Sequence, residues 1–558
     1  MKNYSKVPVK VQKKSGFDKS FQNLFTSKVG TLTPILVDEL IPNSTVHLKA
    51  AITAALPPLA SDTFMRCKLK YAAFFVPSRL LMQGYEKWLT NNTGDDAHKV
   101  RIPQMLFPAN VLNSSKAEDR ELRLKYLGPG SLADYLGFKA INSELIASTQ
   151  PGETGYQKDL TLNALPFLAY HKIYNDWFRN SLVQKNIYDE ENLGTTYTPA
   201  NSSYIVPTAT TSYTIICDPT DPDEGFADGV SPWDLRQANF GYDIYTTASP
   251  QAQNGKAQAV TMTTIEGAQG FTISALRAAN SMQQFLERNN LAGNRLVDFV
   301  KAQYGANLSD SIAQRPILLG KGSFDVYSKG IYQTTPNNVD ATYDSSNPFT
   351  SVGARYGSAY ADGSDTLVEN FTAAEPGYLM VLAWLSPKVT YSTGVDPILT
   401  RYDTNSPSDM ANPILQNVGN EPIFVSQLSM YSLYPGIHSS GDKIFGYMER
   451  YGNWKDKQDE VHGILRDTSS LQSFALQRSF RKDVQPKITS EFLKIPTNYL
   501  DQVAAVSSDI STYGYWADTF FDYKVSMPLA EYSVPSLQDP AYEHGVDVTI
   551  DKNGKSLS

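Results

Sequence analysis

Four carboxylates crowd one proline-rich segment of this 558-residue chain. Hard cations such as Ca²⁺ prefer oxygen ligands of this kind, but the spacing is not that of an EF-hand loop. A hydrated acidic loop is the favoured interpretation, and we predict neither a bound metal nor a cofactor. The four residues are Asp218, Asp221, Asp223 and Glu224.

No other group of residues has the spacing of a catalytic site. The histidines at positions 47, 98, 171, 438, 462 and 544 form no HExxH or other ligand pair. Cys67 and Cys217 lie far apart, which predicts two reduced, inert side chains rather than a zinc site. The segment 320–323 (GKGS) has no glycine five residues before its Gly-Lys pair and no hydroxyl directly after the lysine, so we predict a turn between strands. The chain is not predicted to be an enzyme.

Lysines dominate the first 20 residues. Six lysines oppose one acid, Asp18, which gives this arm a charge of +5 and leaves −13 for the remainder of a chain whose net charge is −8. A basic arm can neutralise the phosphates of a single-stranded nucleic acid, although a solvated tail has the same composition. The candidate nucleic-acid contacts are Lys2, Lys6, Lys10, Lys13 and Lys14.

The periodicity of the body is mainly that of β-strands. Residues 65–71 alternate, with Met65, Cys67, Leu69 and Tyr71 on one face, and residues 46–52 have a similar period. The apolar run 378–385 is too short to cross a bilayer and predicts a buried strand. We expect no membrane partner. Without a secretory signal, the chain is expected to stay in the compartment where it is made.

Helical periodicity is confined to a few segments. Residues 273–288 and 291–304 predict two helices inserted between strands, and 167–178 is a third, aromatic-rich candidate for either the core or an interface. Segments 183–235 and 334–372 are rich in Thr, Ser, Asn and Gly and predict long surface loops. We therefore expect a basic arm over residues 1–20 and a single β-sandwich or jelly-roll domain over 21–558.

A series of short motifs runs through nearly the whole chain in a recognisable order. They are Phe17-Asp-Lys-Ser20, Gly30-Thr-Leu-Thr-Pro34, Asp38-Glu-Leu-Ile-Pro42, Phe74-Phe-Val-Pro-Ser-Arg-Leu80, Asn175-Asp-Trp-Phe-Arg179, Ile273-Ser-Ala-Leu-Arg277, Gly293-Asn-Arg295, Gln314-Arg-Pro316, Phe445-Gly-Tyr447 and Met527-Pro528. In order and spacing they resemble the major capsid proteins of microviruses, small single-stranded DNA bacteriophages, and especially the gokushovirus branch. The chain departs from that pattern at Thr247-Ala-Ser and Trp454-Lys-Asp-Lys, where local contacts are expected to differ.

The resemblance implies a mainly β fold: an eight-stranded antiparallel jelly roll of the viral coat type with long loop and helical insertions. It also implies self-assembly into an icosahedral shell around circular single-stranded DNA. The expected partners are other copies of the chain, the DNA genome, a small basic DNA-packaging protein, a scaffolding protein during assembly and a host surface receptor for the outer loops. The expected location is the virion, assembled in the cytoplasm of the host bacterium.

One alternative remains open from the residues themselves. Tyrosine-rich loops on a β-sandwich can stack sugars, so a glycan-binding or glycan-cleaving protein has a similar composition. Such a protein would be a monomer or small oligomer, whereas the first hypothesis predicts closed particles of megadalton mass.

Overall fold

The computed structural model describes most of the chain. The described residues are 6–12, 14–82, 85–90, 102–107, 109–139, 160–186, 215–216, 231–251, 263–265, 268–270, 273–292, 296–310, 312, 314–332, 355–400, 411–433, 443–480, 486–505, 514–529 and 545–551.

Strands are the main regular elements of these residues. They are β1 Lys6–Gln12, β2 Ser15–Asp18, β3 Phe21–Ser27, β4 Thr33–Leu40, β5 Thr45–Ala55, β6 Cys67–Pro77, β7 Gln104–Phe107, β8 Leu160–Asn163, β9 Ile215–Ile216, β10 Thr263–Ile265, β11 Ala268–Gly270, β12 Ile317–Tyr332, β13 Arg355–Thr372, β14 Gly377–Pro387, β15 Glu421–Phe424, β16 Ile444–Met448, β17 Tyr515–Met527 and β18 Gly545–Asp551.

The α-helices lie mostly between β6 and β12. They are α1 Tyr85–Thr90, α2 Ala109–Leu112, α3 Ala117–Leu127, α4 Leu132–Tyr135, α5 Leu165–Ile173, α6 Ile273–Ala292, α7 Leu296–Tyr304, α8 Pro397–Thr400, α9 Gly452–Lys455 and α10 Ser490–Leu493. A π-helical turn, Tyr174–Phe178, continues α5.

Eight long strands confirm the predicted jelly roll. Sheet 1 has the order β3-β17-β5-β13, and sheet 2 has the order β4-β14-β6-β12. All neighbours are antiparallel, and pairing of β12 with β13 joins the two sheets into one strongly curled surface. β2 adds a ninth strand by pairing with the far end of β17. The first strand of the curled sheet along the chain, β2, thus lies beside its last, β17.

Alternation of side chains explains which face of each strand is buried. Cys67, Leu69 and Tyr71 are buried in β6, whereas Lys68 is exposed, as the period of two predicts. β14 is buried along almost its whole length, which confirms the buried strand predicted for residues 378–385. It lies in the middle of sheet 2, between β4 and β6.

Apolar and polar contacts connect the two sheets. The rings of Phe75 in sheet 2 and Phe371 in sheet 1 have centroids 5.1 Å apart. The Tyr71 hydroxyl donates to Asp365 at 3.2 Å. Around these contacts a continuous cluster of buried hydrophobic side chains extends into the inserted helices. That residues 21–558 form one domain stays a prediction.

The turn predicted at residues 320–323 is wrong. These residues lie inside β12, where a β-bulge separates Leu318 from Gly320. A Cβ on Gly320 would lie 1.8 Å from the carbonyl oxygen of Leu367, and one on Gly322 would lie 2.3 Å from the Tyr71 hydroxyl. The glycines therefore permit close packing of neighbouring strands, which sequence periodicity does not reveal.

The predicted loop over residues 334–372 is also wrong in its second half. Residues 355–372 form β13, the strand that joins the two sheets, and 334–354 lie outside the described residues. Of segment 183–235, residues 187–214 and 217–230 also lie outside them. The end of that segment is not on the surface, because Trp233 is fully buried against Phe107 and Phe167.

The insertion over residues 273–304 contains two helices, as predicted, with shifted ends. α6 continues through Asn289 and Asn290, where a break was expected, and α7 begins at Leu296 rather than Leu291. Tyr304, the last residue of α7, is 75% exposed. The aromatic-rich segment 167–178 is a core element, because Phe167, Tyr170 and Tyr174 are buried.

Candidate interaction surfaces

The N-terminal arm does not stand alone, because β1 pairs with β18 near the C-terminus. In this antiparallel ribbon Lys6 lies opposite Asp551, and Lys10 lies opposite Asp547. Each strand contains two charged residues, and the charges of the two strands are opposite in sign. The ribbon is therefore formally neutral, although the arm by itself is strongly basic.

The other candidate lysines have different surroundings. Lys14 is exposed, and its ammonium donates to the Thr45 hydroxyl at 3.0 Å. Lys2 and Lys13 lie outside the described residues. Lys14 is thus the one candidate whose side-chain position the structure describes.

A polar cluster fixes the end of the arm. Lys19 forms an ion pair with Asp38 of β4, and the Tyr523 hydroxyl of β17 donates to the same carboxylate at 2.6 Å. Burial, with the adjacent Asp38 charge, raises the pKa of Tyr523 well above its ordinary value. The lysine also lies 5.4 Å from the Tyr523 ring centroid. Lys19 therefore connects β4, the edge strand of sheet 2, with β17 of sheet 1.

The outward face of sheet 1 carries exposed aromatic residues. Trp516, Ala55, Tyr360 and Tyr327 follow one another across β17, β5, β13 and β12 in register. The three aromatic side chains are between 47% and 58% exposed. Phe520 lies two residues along β17 from Asp518 and is also exposed. Exposed apolar patches of this kind mark interaction surfaces.

The charges beside the aromatic row are acidic, whereas Lys49 and Lys524 lie farther along the same face. Asp518 accepts hydrogen bonds from Gln22 at 2.9 and 2.8 Å, and Asp362 accepts one from the Thr53 hydroxyl at 2.9 Å. Carboxylates beside the aromatic row repel phosphates, so the row itself is better suited to protein than to nucleic acid. Sequence reasoning missed this surface. The sequence does contain a signal for it. Side chains of β17 alternate between buried and exposed, and aromatic residues occupy exposed positions that are usually polar.

Two of the histidines that the structure describes have contacts that do not suggest catalysis. His171 is fully buried; its Nε2 donates to the Pro232 carbonyl at 2.8 Å, and its Nδ1 accepts from Arg236 Nε at 3.1 Å. Burial, and then the Arg236 charge, hold the pKa of His171 well below its ordinary range. His462 is exposed and contacts Glu460, whereas His98, His438 and His544 lie outside the described residues.

Metal ligands, cysteines and helix length also bear on the expectations from sequence. Among the described residues, no group of three His, Cys, Asp or Glu side chains is arranged to hold a metal ion. The acidic segment with Asp218, Asp221, Asp223 and Glu224, and Cys217, lie outside those residues. Cys67 is buried. None of the described helices is both long and apolar enough to span a membrane.

Comparison with known proteins gives matches along nearly the whole chain. A family model described as capsid protein (F protein) matches residues 5–124 and 150–537. Capsid protein VP1 of Bdellovibrio phage phiMH2K is 24% identical over 579 aligned positions, covering 96% of this chain and 97% of the relative. Capsid protein VP1 of Chlamydia phage 1 is 25% identical, with 96% and 98% covered. VP1 of Spiroplasma virus 4 is 24% identical, with 91% and 93% covered.

Proposed function

Because this chain belongs to the phage capsid protein (F protein) family, we propose that it is the major capsid protein of a gokushovirus-like microvirus and encloses single-stranded DNA. The observation that carries the proposal is the family match over most of the chain, together with the jelly-roll order of the strands. Jelly rolls leave few open sheet edges, which favours closed shells over open-ended fibrils.

The sheet edges of this chain are protected in a way that suits such a shell. The curled sheet ends at β3 on one side and β4 on the other. Between them, the Asn23 side chain donates to the Ile35 carbonyl at 2.6 Å, and the Tyr135 hydroxyl donates to the Thr26 carbonyl. These bonds occupy backbone acceptors that would otherwise be available to a strand of another molecule. Copies would then meet through faces and loops.

We assign the aromatic outer face of sheet 1 to contacts between copies. Its exposed rings are typical of the residues enriched at protein interfaces, and its aspartates disfavour a phosphate-bearing partner. A shell provides many copies of the same chain as partners.

The link between the arm and DNA remains part of the proposal. Lys6 and Lys10 lie opposite aspartates in the ribbon, which offsets their charge, so the greater contribution is expected from Lys2, Lys13 and Lys14. The basic packaging protein, the scaffolding protein, a host receptor and assembly in the bacterial cytoplasm belong to the same proposal. They rest on the resemblance to microvirus coats.

Electron microscopy of the expressed chain tests the proposal. The chain is produced with and without co-expressed phage scaffolding components, and the products are examined by negative stain and analytical ultracentrifugation. Closed particles of uniform diameter are expected in at least the co-expressed sample. A clean monomer under both conditions would contradict the capsid assignment and favour the glycan-binding alternative. We infer that the chain has no enzymatic activity, in keeping with relatives that are named as capsid proteins.

A further inference from the structure

The ribbon formed by β1 and β18 has one apolar face. In its register, apolar pairs alternate with the pairs that contain the charged residues. Directly opposite residues of an antiparallel pair share a face, so the apolar residues lie on one face and the lysines and aspartates lie on the other. We call the first of these the aliphatic face of the ribbon. Its residues are Val7, Val9, Val11, Val546, Val548 and Ile550.

A two-stranded ribbon needs another surface to cover such a face. No further strand among the described residues adds to β1 and β18. An isolated two-stranded sheet is only marginally stable in water, and it gains stability when its apolar face packs on something else. Pro8 marks β1 as an edge strand, because proline cannot donate a hydrogen bond to a further ladder. A partner is therefore expected on the aliphatic face rather than along the edge of β1.

The aromatic row of sheet 1 is a surface of the same kind. It consists of Trp516, Ala55, Tyr360 and Tyr327. The row crosses four strands, which corresponds to about 14 Å, and the ribbon is about 20 Å long. The rings of Tyr327 and Tyr360 have centroids 6.2 Å apart. Because the ribbon is formally neutral, the aspartates beside the row would not repel it as they repel phosphates. The ribbon thus fits the row in length, polarity and charge.

The ribbon of one chain is too short to cover the aromatic row of that same chain. Ser15 lies opposite Met527 at one end of β17, and Trp516 lies near the other end, about 36 Å away along the strand. The chain from Ser15 back to Val9 spans at most about 22 Å when it is fully extended. β2 also runs antiparallel to β17, so the chain before Ser15 continues in the direction away from Trp516. A row that is covered by a ribbon therefore belongs to another copy.

We infer that the aliphatic face of the ribbon docks on the aromatic row of a second copy. The inference rests on the proposed function, because it names the segment that meets the face assigned to contacts between copies. A ribbon about 20 Å long and about 10 Å wide covers far less than the roughly 1,200 Å² that a stable free complex buries. The contact therefore belongs to the assembled particle rather than to a free dimer. Ribbon and row are different surfaces, and head-to-tail contacts of this kind can close into rings.

Cross-linking of mixed particles tests the inference. Particles are assembled from equal amounts of Val9→Cys and Ala55→Cys chains and treated with a short bismaleimide, because facing sheets lie about 10 Å apart. Each chain carries one introduced cysteine, so a link between the two sites can join only different copies. We expect a cross-linked dimer in the particles, with the joined peptides identified by mass, and several-fold less of it in unassembled chains at equal concentration.

Two controls accompany this experiment. Wild-type particles show any links made through the native cysteines, Cys67 and Cys217. Thr549→Cys replaces Val9→Cys in the second control, because Thr549 lies on the opposite face of the ribbon. This variant should form several-fold less of the link to Ala55→Cys.

Three cross-linking results would overturn the inference. The first is the absence of a link between the two sites in mixed particles. The second is a link between two ribbons in particles of Val9→Cys alone, which would assign the aliphatic face to the ribbon of another copy. The third is a link within single chains of the double variant Val9→Cys/Ala55→Cys without any in the mixture, since the ribbon would then cover its own sheet.

Amide hydrogen exchange tests the same contact if a cysteine variant does not assemble. Amides of β1 and β18 should exchange about 10-fold or more slowly in wild-type particles than in the unassembled chain, because a docked ribbon opens less often. Particles of Tyr360→Ser should lose part of this protection, whereas Leu399→Ser, which changes an exposed residue outside the row, should keep it. Equal exchange in both wild-type states, or full protection in Tyr360→Ser particles, would overturn the inference.

The outcomes also separate this inference from the proposed function. If the wild type forms no closed particles with or without scaffolding components, the proposed function itself fails. If closed particles form but show neither the link nor the protection, only the docking of the ribbon fails.

Discussion

Lowering the pH should weaken the attachment of α5 to the jelly roll, because the buried His171 becomes protonated. The buried imidazole holds Arg236 and the Pro232 carbonyl, and the backbone N–H of Arg236 donates to the Tyr170 hydroxyl at 2.8 Å. That hydroxyl in turn donates to the Leu32 carbonyl at the start of β4, also at 2.8 Å. Protonation of His171 would place a second positive charge beside Arg236 and remove the acceptor at Nδ1.

The loss of stability at low pH follows from the difference in the pKa of His171 between the unfolded and folded states. In the unfolded segment the pKa is about 6.5, whereas in the folded protein burial and Arg236 hold it well below that value. The unfolded form therefore binds the proton first as the pH falls. Stability from this group is fully present above about pH 6.5 and is lost below it. If the folded imidazole stays neutral, the loss is about 0.1 kcal/mol at pH 7.5 and about 2 kcal/mol at pH 5.

Amide hydrogen exchange measures this local stability without assuming that the whole chain unfolds in one step. After correction for intrinsic exchange rates, amides of α5 should open roughly 30-fold more readily at pH 5 than at pH 7.5, which corresponds to about 2 kcal/mol. His171→Gln retains an acceptor and a donor but does not titrate, so this contribution should disappear. The control His462→Gln changes a side chain that is 81% exposed and should keep the wild-type pH dependence.

Two results would contradict this role of His171. One is equal protection of the α5 amides at both pH values in the wild type. The other is an unchanged pH dependence in His171→Gln, which would assign the effect to other titrating groups.

Four further predictions concern packing, reactivity and assembly. Gly320→Ala should lower the free energy of chemical unfolding by about 3 kcal/mol or more, because the new methyl group would overlap the Leu367 carbonyl. The control Gly16→Ala, which has nothing within 4 Å of the new methyl group, should change that free energy by less than about 1 kcal/mol. Burial raises the pKa of Cys67 to about 12, so iodoacetamide should label it only after denaturation; rapid labelling of the native chain would contradict its burial. Deleting residues 2–14 should lower the DNA content of particles more than their yield, and particles with undiminished DNA would exclude a packaging role for the arm. Trp516→Ser should lower particle yield while leaving the melting temperature of the unassembled chain unchanged; normal yield would remove the outer face of sheet 1 from the proposed contacts.

The predictions from sequence succeeded where one local pattern decides the structure. The alternation around Leu69 and the apolar run at 378–385 each required a buried face, and both became strands in the middle of sheet 2. The failure at β13 has a physical cause. Its glycines make the segment look like a loop, yet a Cβ on Gly363 would lie 2.2 Å from the Phe324 ring and one on Gly357 would lie 2.1 Å from the Ser61 carbonyl. These glycines are required by neighbouring strands that are distant in sequence.

Ordered motifs and composition are properties of the chain, so the family, the β-rich class and the separation of charge between a basic arm and an acidic body can all be predicted before folding is considered. Where that charge acts depends on the fold. Pairing of β1 with β18 sets two arm lysines opposite aspartates, and Lys19 forms an ion pair with Asp38. Electrostatic attraction depends on distance in space, and the paired residues of the ribbon are separated by hundreds of positions along the chain.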